Sequence, residues 1–182
     1  EEKNPLSLIS RDIGPGNCLI DNWVRKNSNK KFDKDGLLAA SGTTDEIIYE
    51  QALELFSNTL NQNHLSLDVN DFDISFAKGL SLENGAATIT DITAEIISKK
   101  IGNYDIFVCG GGRKNLYLIN SLISKINNKI FIIDDLKIDG DYVESQAFAF
   151  LAIRNFLNLP ISFPSTTNCC KPCVGGIIAS NF

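Results

Sequence analysis

Three glycines in succession, Gly110-Gly111-Gly112, follow a short run of apolar, β-branched and aromatic residues from Tyr104 to Cys109 and precede a helical apolar pattern from Leu116 to Ile126. A strand, a turn without side chains and a helix in that order constrain the fold more than any other feature of the chain, because the helix must lie back over the sheet that the strand joins. The neighbouring segments extend the pattern. Ser81 is placed to cap a long helix in which Ile89, Ile92, Ile96 and Ile97 recur at helical spacing, with Asp91, Glu95 and Lys99 mostly on the other face. Lys129 to Ile133 reads as a second short strand ending at Asp134 and Asp135, and a further helix is expected from about Asp141 to Leu157. Helix, strand, helix, strand, helix at these lengths implies an α/β fold with parallel strands joined by right-handed crossover helices.

The flanking regions are less regular. Leu6 to Ile13 alternates weakly and is expected to run as a strand into the turn Gly14-Pro15-Gly16-Asn17, followed by a helix through Trp23 and Val24. Lys26 to Asp35 is expected to be an exposed loop. Thr43 and Glu46 have capping-box spacing ahead of a helix reaching about Asn58. Asn61 to Phe76 is ambiguous, with a short helix near Phe72 and Phe76. The tail from Ile161 to Phe182 reads as loop with a short strand or helix end.

With 182 residues, 43% of them hydrophobic, the chain can bury a core without disulfides or metal, as one domain or one domain with an appendage. Seventeen Lys+Arg against 22 Asp+Glu give a net charge of −5, so a nucleic-acid partner is not expected. No apolar run approaches the roughly 20 residues that cross a bilayer, and EEKNPLSLIS has neither a basic nor an apolar leader region, so a cytoplasmic location is expected. Five cysteines, an odd number, fit a reducing compartment better than a disulfide scaffold. There is no Met, which leads us to expect a processed, trimmed or partial chain.

The triple glycine occupies the place, beyond the carboxyl end of a strand, at which open α/β sheets bind ligands. Such a turn lets a flat or anionic ligand lie against backbone, and the next helix would add N–H groups at its positive end. A tight turn without a ligand is the plain alternative. Gly110 and Gly112 also match the start of G-x-G-x-x-G, with Asp134 about 20 residues on as a ribose ligand, but the third glycine is replaced by Asn115. A second cluster, Asp12-Ile13-Gly14-Pro15-Gly16-Asn17, offers an acid for a hydroxyl or hydrated cation and glycine backbone for an anion, or else simply a rigid turn with Asn17 as helix cap. Glu144 shares a helix face with Ala147, Phe148 and Leu151, so it calls for a partner such as a substrate hydroxyl, unless Asp141 and Glu144 form the cap of that helix. Cys170 and Cys173 have zinc-knuckle spacing, but no second such pair exists and His64 is the only histidine, so no metal site is expected. Cys18 and Cys109 read as small core residues.

Taken together, DIGPGNCLID (Asp12 to Asp21), FDKDGLLAASG (Phe32 to Gly42), GAATITDITA (Gly85 to Ala94), CGGGRKN (Cys109 to Asn115) and DGDYVESQAFAFLA (Asp139 to Ala152) resemble, in order and spacing, the C-terminal half of the anhydro-N-acetylmuramic acid kinase family, over nearly the whole chain. The resemblance implies an actin-like, ribonuclease H-like sugar-kinase architecture of two α/β lobes about a cleft, with residues 1–182 as the C-terminal, nucleotide-side lobe. It implies ATP and Mg²⁺ as cofactors, an anhydro amino sugar as substrate, and ring opening by water with phosphorylation of O6 for cell-wall recycling. By motif, Gly110, Gly111, Gly112 and Asn115 correspond to the adenosine-side turn. Asp12, Gly14, Gly16 and Asn17 correspond to a loop near phosphate or sugar, and Glu144 to a sugar contact. The family's phosphate loop and catalytic aspartate lie upstream of the matching motifs, so the chain by itself is expected not to turn over substrate. Its expected partner is the N-terminal lobe or a second copy, with self-association through apolar surface. Where the family tends to carry Pro-Pro-Lys-Ser, this chain reads Asn63-His64-Leu65-Ser66.

Overall fold

The structure, a computed structural model, describes residues 9–57, 72–177 and 179. The chain divides into two compact units, one running Asp12–Asp141 and the other made by the described residues before Asp12 together with those from Tyr142 onward.

The first unit is organised on one helix, α4 (Leu82–Lys100), preceded by α1 (Cys18–Asn27), α2 (Leu37–Ser41) and α3 (Glu46–Leu55) and followed by α5 (Leu116–Lys125). The isoleucines repeating along α4 are its buried stripe: Ile89, Ile92 and Ile96 are fully buried, and each such side chain contributes roughly 1.5–3 kcal/mol relative to exposure. Around them lie Leu19, Ile20, Trp23, Val24, Ala39, Ala52 and Phe56 from the helices packed on α4. Small residues permit the close approach. A side chain at Gly85 would collide with the indole of Trp23, whose Nε1 donates to the Leu82 carbonyl at 2.9 Å.

Ser81 caps α4 as expected, its hydroxyl accepting from Asn84 N at 3.1 Å. Helix α3 is capped differently from the sequence expectation: Asp45 accepts from Ile48 N at 3.0 Å, and the Thr43–Glu46 box does not form. Polar pairs tie neighbouring helices to α4. Asp91 accepts from Ser121 at 2.5 Å, Tyr117 at 3.3 Å and Thr44, while Glu95 meets Lys125 at 3.2 Å and the Tyr49 hydroxyl at 3.0 Å. The Phe72–Phe76 region forms a 3₁₀ turn, Ser75–Ala77, and both rings stand edge-on to Phe56.

Strands β1 (Ile106–Val108) and β2 (Ile130–Ile132) pair in parallel, Ile106 opposite Ile130 and Val108 opposite Ile132, with α5 as the connection between them. The expected parallel α/β unit is therefore present, shorter at each strand end. Residues 9–13, the described part of the strand expected at Leu6 to Ile13, form no strand, and His64 and the segment around it lie outside the described residues.

The second unit holds α6 (Val143–Phe156) and a short helix α7 (Pro164–Thr167), with an isolated antiparallel bridge between Ser162 and Cys173. Ser10 N donates to the Ser165 carbonyl at 3.3 Å. Helix α6 buries none of its residues, so the stripe carrying Glu144 is not a core face. Its N-cap is Tyr142 without a side-chain cap, which overturns the Asp141–Glu144 capping expectation. Among the described residues no helix is long and apolar enough to cross a membrane.

Candidate functional site

Beyond the carboxyl end of β1 the three glycines open a 3₁₀ turn, Gly111–Lys114, before α5 begins at Leu116. Gly110 has φ 71° and ψ −169°, a conformation essentially confined to glycine, and its N–H donates to the Gly140 carbonyl at 3.1 Å. Around Gly110 and Gly111 no heavy atom of the described residues, chain neighbours aside, lies within 4 Å of where a Cβ would sit, so the side-chain face of both glycines is open while the Gly110 N–H and carbonyl are engaged. The expected supply of free N–H groups from the next helix is modified: α5 starts four residues later, and Asn115 caps it, accepting from Leu118 N at 3.0 Å.

Arg113 holds the turn in place. Its side chain is 7% exposed and forks onto both oxygens of Asp134 (2.6 and 3.2 Å), while Nη1 also donates to Asp141 (2.7 Å) and to the Gly110 carbonyl (2.9 Å). Gly140 lies against the guanidinium, where any side chain would collide with it. Hydrogen bonds from Arg113, and secondarily from Lys114, hold the Asp141 carboxyl down at about 2, and Arg113 lowers Asp134 in the same way. Asp134, considered from spacing as a ribose ligand, is thus engaged by Arg113.

The early glycine turn sits beside the late one. Asn17 precedes α1 in helical conformation but does not cap it with its side chain, contrary to the plain reading; its Oδ1 instead accepts from Asn115 Nδ2 at 3.3 Å. Asn17, Gly111, Lys114 and Asn115 line a cavity of about 370 Å³, together with Asp21 and the segment Phe32–Asp35. Burial pushes the Asp21 carboxyl up, Asp33 adding to this and Arg25 opposing it. Gly14 packs on Ile96 and Ile97, Gly16 adopts φ 54° in open space, and Asp12 is exposed. Glu144 is also exposed and belongs to the other unit. Cys18 and Cys109, expected in the core, are exposed as well.

The wall Phe32–Asp35 ends the segment expected as an exposed loop, Lys26 to Asp35, and opens the FDKDGLLAASG motif, but no site role was expected of it; the segment is exposed apart from Ser28 and Asp33. Asp33 is buried, its two oxygens accepting from Leu38 N (2.8 Å) and Ala39 N (3.0 Å) at the start of α2. Asp35 (φ 57°) and Gly36 (φ 74°) turn the chain through left-handed conformations, and Gly36 lies so close to Asn115 and Tyr117 that no other residue fits. The signal available was Asp33 followed by Gly36 just before an apolar run.

The class defined by this arrangement is an α/β protein with a concavity beyond the carboxyl end of a parallel strand, where open α/β sheets take ligands. The family model described as Anhydro-N-acetylmuramic acid kinase matches residues 5–181. Among curated proteins, the chain is 49% identical to the anhydro-N-acetylmuramic acid kinase of Pelagibacter ubique (strain HTCC1062), covering 99% of this chain and 51% of that protein. It is 36% identical to the kinase of the same description from Zymomonas mobilis subsp. mobilis, and 37% identical to that from Brucella canis, each covering 94% of this chain and 48% of the relative. The chain belongs to the anhydro-N-acetylmuramic acid kinase family. It spans about half the length of the curated relatives it matches.

Proposed function

We propose that these residues form the C-terminal, nucleotide-holding lobe of an ATP-dependent kinase of actin-like, ribonuclease H-like architecture, acting on 1,6-anhydro-N-acetylmuramic acid in the cytoplasm. In the proposed reaction water adds at the anomeric carbon, the bond from that carbon to O6 breaks, and O6 accepts the γ-phosphoryl group of ATP. The products are ADP and N-acetylmuramic acid 6-phosphate, as peptidoglycan recycling requires.

The observation that supports this reading best is that Gly111 and Asn17, from motifs far apart in the chain, line one cavity. On this reading Gly110 to Gly112 and Asn115 receive the adenosine side. Asn17, with Gly14 and Gly16 shaping its turn and Asp12 at the start of that segment, faces phosphate or sugar, and Glu144 contacts the anhydrosugar. Phosphoryl transfer asks the protein mainly for positioning and charge stabilisation, which suits a site built from bare peptide, amides and a few charged groups. Mg²⁺ neutralises phosphate charge in such reactions and keeps most of its water, needing one or two carboxylates at most, and Asp21 and Asp35 stand on the cavity wall. The catalytic aspartate and phosphate loop are assigned to the half of the relatives that this chain does not match, so the chain alone is inactive; its partner is that lobe or, without turnover, a second copy in a homodimer.

Calorimetric titration with ATP·Mg and with NAD tests the nucleotide assignment. ATP is expected to bind more tightly, and tighter binding of NAD overturns the reading. Supplying the unmatched half from a relative and assaying for phosphorylated amino sugar tests the substrate; a complete, folded enzyme that yields none removes it.

A further inference from the structure

Arg113 follows the three glycines at the edge of the proposed nucleotide cavity, a place where the charge of an arginine ordinarily serves to meet phosphate. Its geometry excludes that task. The side chain is 7% exposed and does not line the cavity, although Gly111, Lys114 and Asn115 on either side of it do. Nε, Nη1 and Nη2 are all engaged, on Asp134, Asp141 and the Gly110 carbonyl. The guanidinium instead closes a frame between the ends of two strands. Asp134 and Asp141 lie in the segment after β2, and Gly110 lies in the turn after β1. Gly110 is held at both of its polar groups: its N–H donates to Gly140 O at 3.1 Å, and its carbonyl accepts from Arg113 Nη1 at 2.9 Å. Gly140 N in turn donates to Asp134 Oδ1 at 3.5 Å, and Gly140 has no side chain where the guanidinium passes. The second oxygen of Asp141 accepts from Lys114 Nζ at 2.6 Å, so the frame reaches a side chain that does line the cavity.

Resting on the assignment of this cavity to a nucleotide, we propose that Arg113 is a positioning residue: it makes no contact with the ligand and fixes the glycine turn in its binding conformation before the ligand arrives. The need for such a residue lies in the turn itself. Consecutive glycines have the widest choice of backbone conformations and no side chains to restrict it. Gly110 at φ 71° and ψ −169° occupies one of the many states open to it. A turn free to sample those states has to be ordered when the ligand binds, and each backbone residue ordered at that moment lowers affinity about tenfold. Arg113 orders the turn in advance. Its planar fork sets two carboxylates and a carbonyl at fixed angles, which lysine, a single point charge, does not reproduce. Because the fork acts on the peptide and not on phosphate, it favours every nucleotide that occupies the turn to the same extent.

The test uses the intact chain, with circular dichroism and Trp23 emission as checks of folding, and compares the parent with Arg113→Gln, Arg113→Lys and Asp134→Asn. Asp134 is 44% exposed, and its amide replacement leaves the guanidinium with Asp141 and Gly110, so this variant folds even where loss of Arg113 does not allow folding. Without ligand, the Gly110 amide is expected to exchange its hydrogen about tenfold faster in Arg113→Gln and about threefold faster in Asp134→Asn, in each case with a larger acceleration than in α4. In calorimetric titrations with ATP, ADP and AMP, affinity is expected to fall by one common factor across the three nucleotides, about tenfold for Arg113→Gln and about threefold for Asp134→Asn. Arg113→Lys keeps the charge and is expected to show the same uniform loss. A loss that grows from AMP to ATP makes Arg113 a phosphate contact and overturns the proposal. An acceleration no greater at Gly110 than in α4 reduces Arg113 to a residue of general stability and overturns it as well. A parent that binds none of the three nucleotides overturns the nucleotide reading and, with it, the role of Arg113; a parent that binds them beside folded variants that bind equally well overturns the role alone.

Discussion

Gly110 and Gly111 are adjacent glycines with different reasons to be glycine. Gly110 sits at φ 71° and ψ −169°, where a side chain costs about 1–3 kcal/mol, whereas Gly111 has no such backbone demand and only empty space beside it. Gly110→Ala is therefore expected to lower unfolding stability by about 1–3 kcal/mol in a denaturant titration. Gly111→Ala is expected to leave stability within about 0.5 kcal/mol and yet weaken ATP binding, because its methyl group enters the proposed ligand space. Equal affinity in Gly111→Ala and parent, both folded, counts against contact with that peptide. Arg113 makes the complementary argument from charge. The carboxyls it holds titrate below their ordinary value of 3.8, Asp141 at about 2, so their stabilisation is complete above about pH 4 and disappears as pH falls through the folded-state values. The stability gap between parent and Arg113→Gln is thus expected to be constant above about pH 4 and to narrow toward pH 2, as followed by unfolding at a series of acid pH values.

At the scale of elements, α4 shows what makes a segment legible. Its buried face repeats each turn and its Ser81 cap is local, so the residues themselves announce the helix. Two further features of α4 depend on what packs there. Thr93 is fully buried and its hydroxyl has no hydrogen-bond partner among the described residues, so Thr93→Val, nearly the same shape, is expected to be neutral or to raise stability by up to about 1–3 kcal/mol in thermal or chemical unfolding. Gly85→Ala places a methyl group in the Trp23 indole and is expected to cost about 1–3 kcal/mol, with a changed tryptophan emission as its signature. The glycine turn and both parallel strands were readable for the same local reason as α4. The cavity was only half readable: glycines mark themselves, but the wall Phe32–Asp35 exists because Asp35 and Gly36 take left-handed conformations against Asn115 and Tyr117, residues some eighty positions away. The caps expected or weighed at Asn17, Thr43 and Asp141 fail in one way. Each has a local hydrogen-bonding choice, and a distant partner (Asn115 for Asn17, Arg113 for Asp141) or a nearer rival (Asp45 for Thr43) decides it.

At the scale of the whole molecule, the apolar surface left over is the fact to account for. A parallel sheet is ordinarily covered on both faces, yet the rings of Phe107 and Phe131 stack on each other at 5.1 Å, 49% and 36% exposed, on the open side of a two-stranded pair. In the other unit Phe148, Phe150, Ile153 and Phe156 of α6 are all more than half exposed. Surface of this kind on a chain matching half the length of its relatives fits the proposed lobe, whose partner would cover part of it. Two outcomes follow for the chain studied alone. Its apparent mass in sedimentation is expected to rise with concentration, and replacing Phe107 and Phe131 together by serine is expected to shift the distribution toward monomer, since those rings lose contact area only if a neighbour sits on them. A parent chain that stays monodisperse and monomeric at high concentration removes the self-association expectation. An associating parent that the double substitution leaves unchanged moves the contact away from the β1–β2 face, leaving the apolar side of α6 as the surface to substitute next.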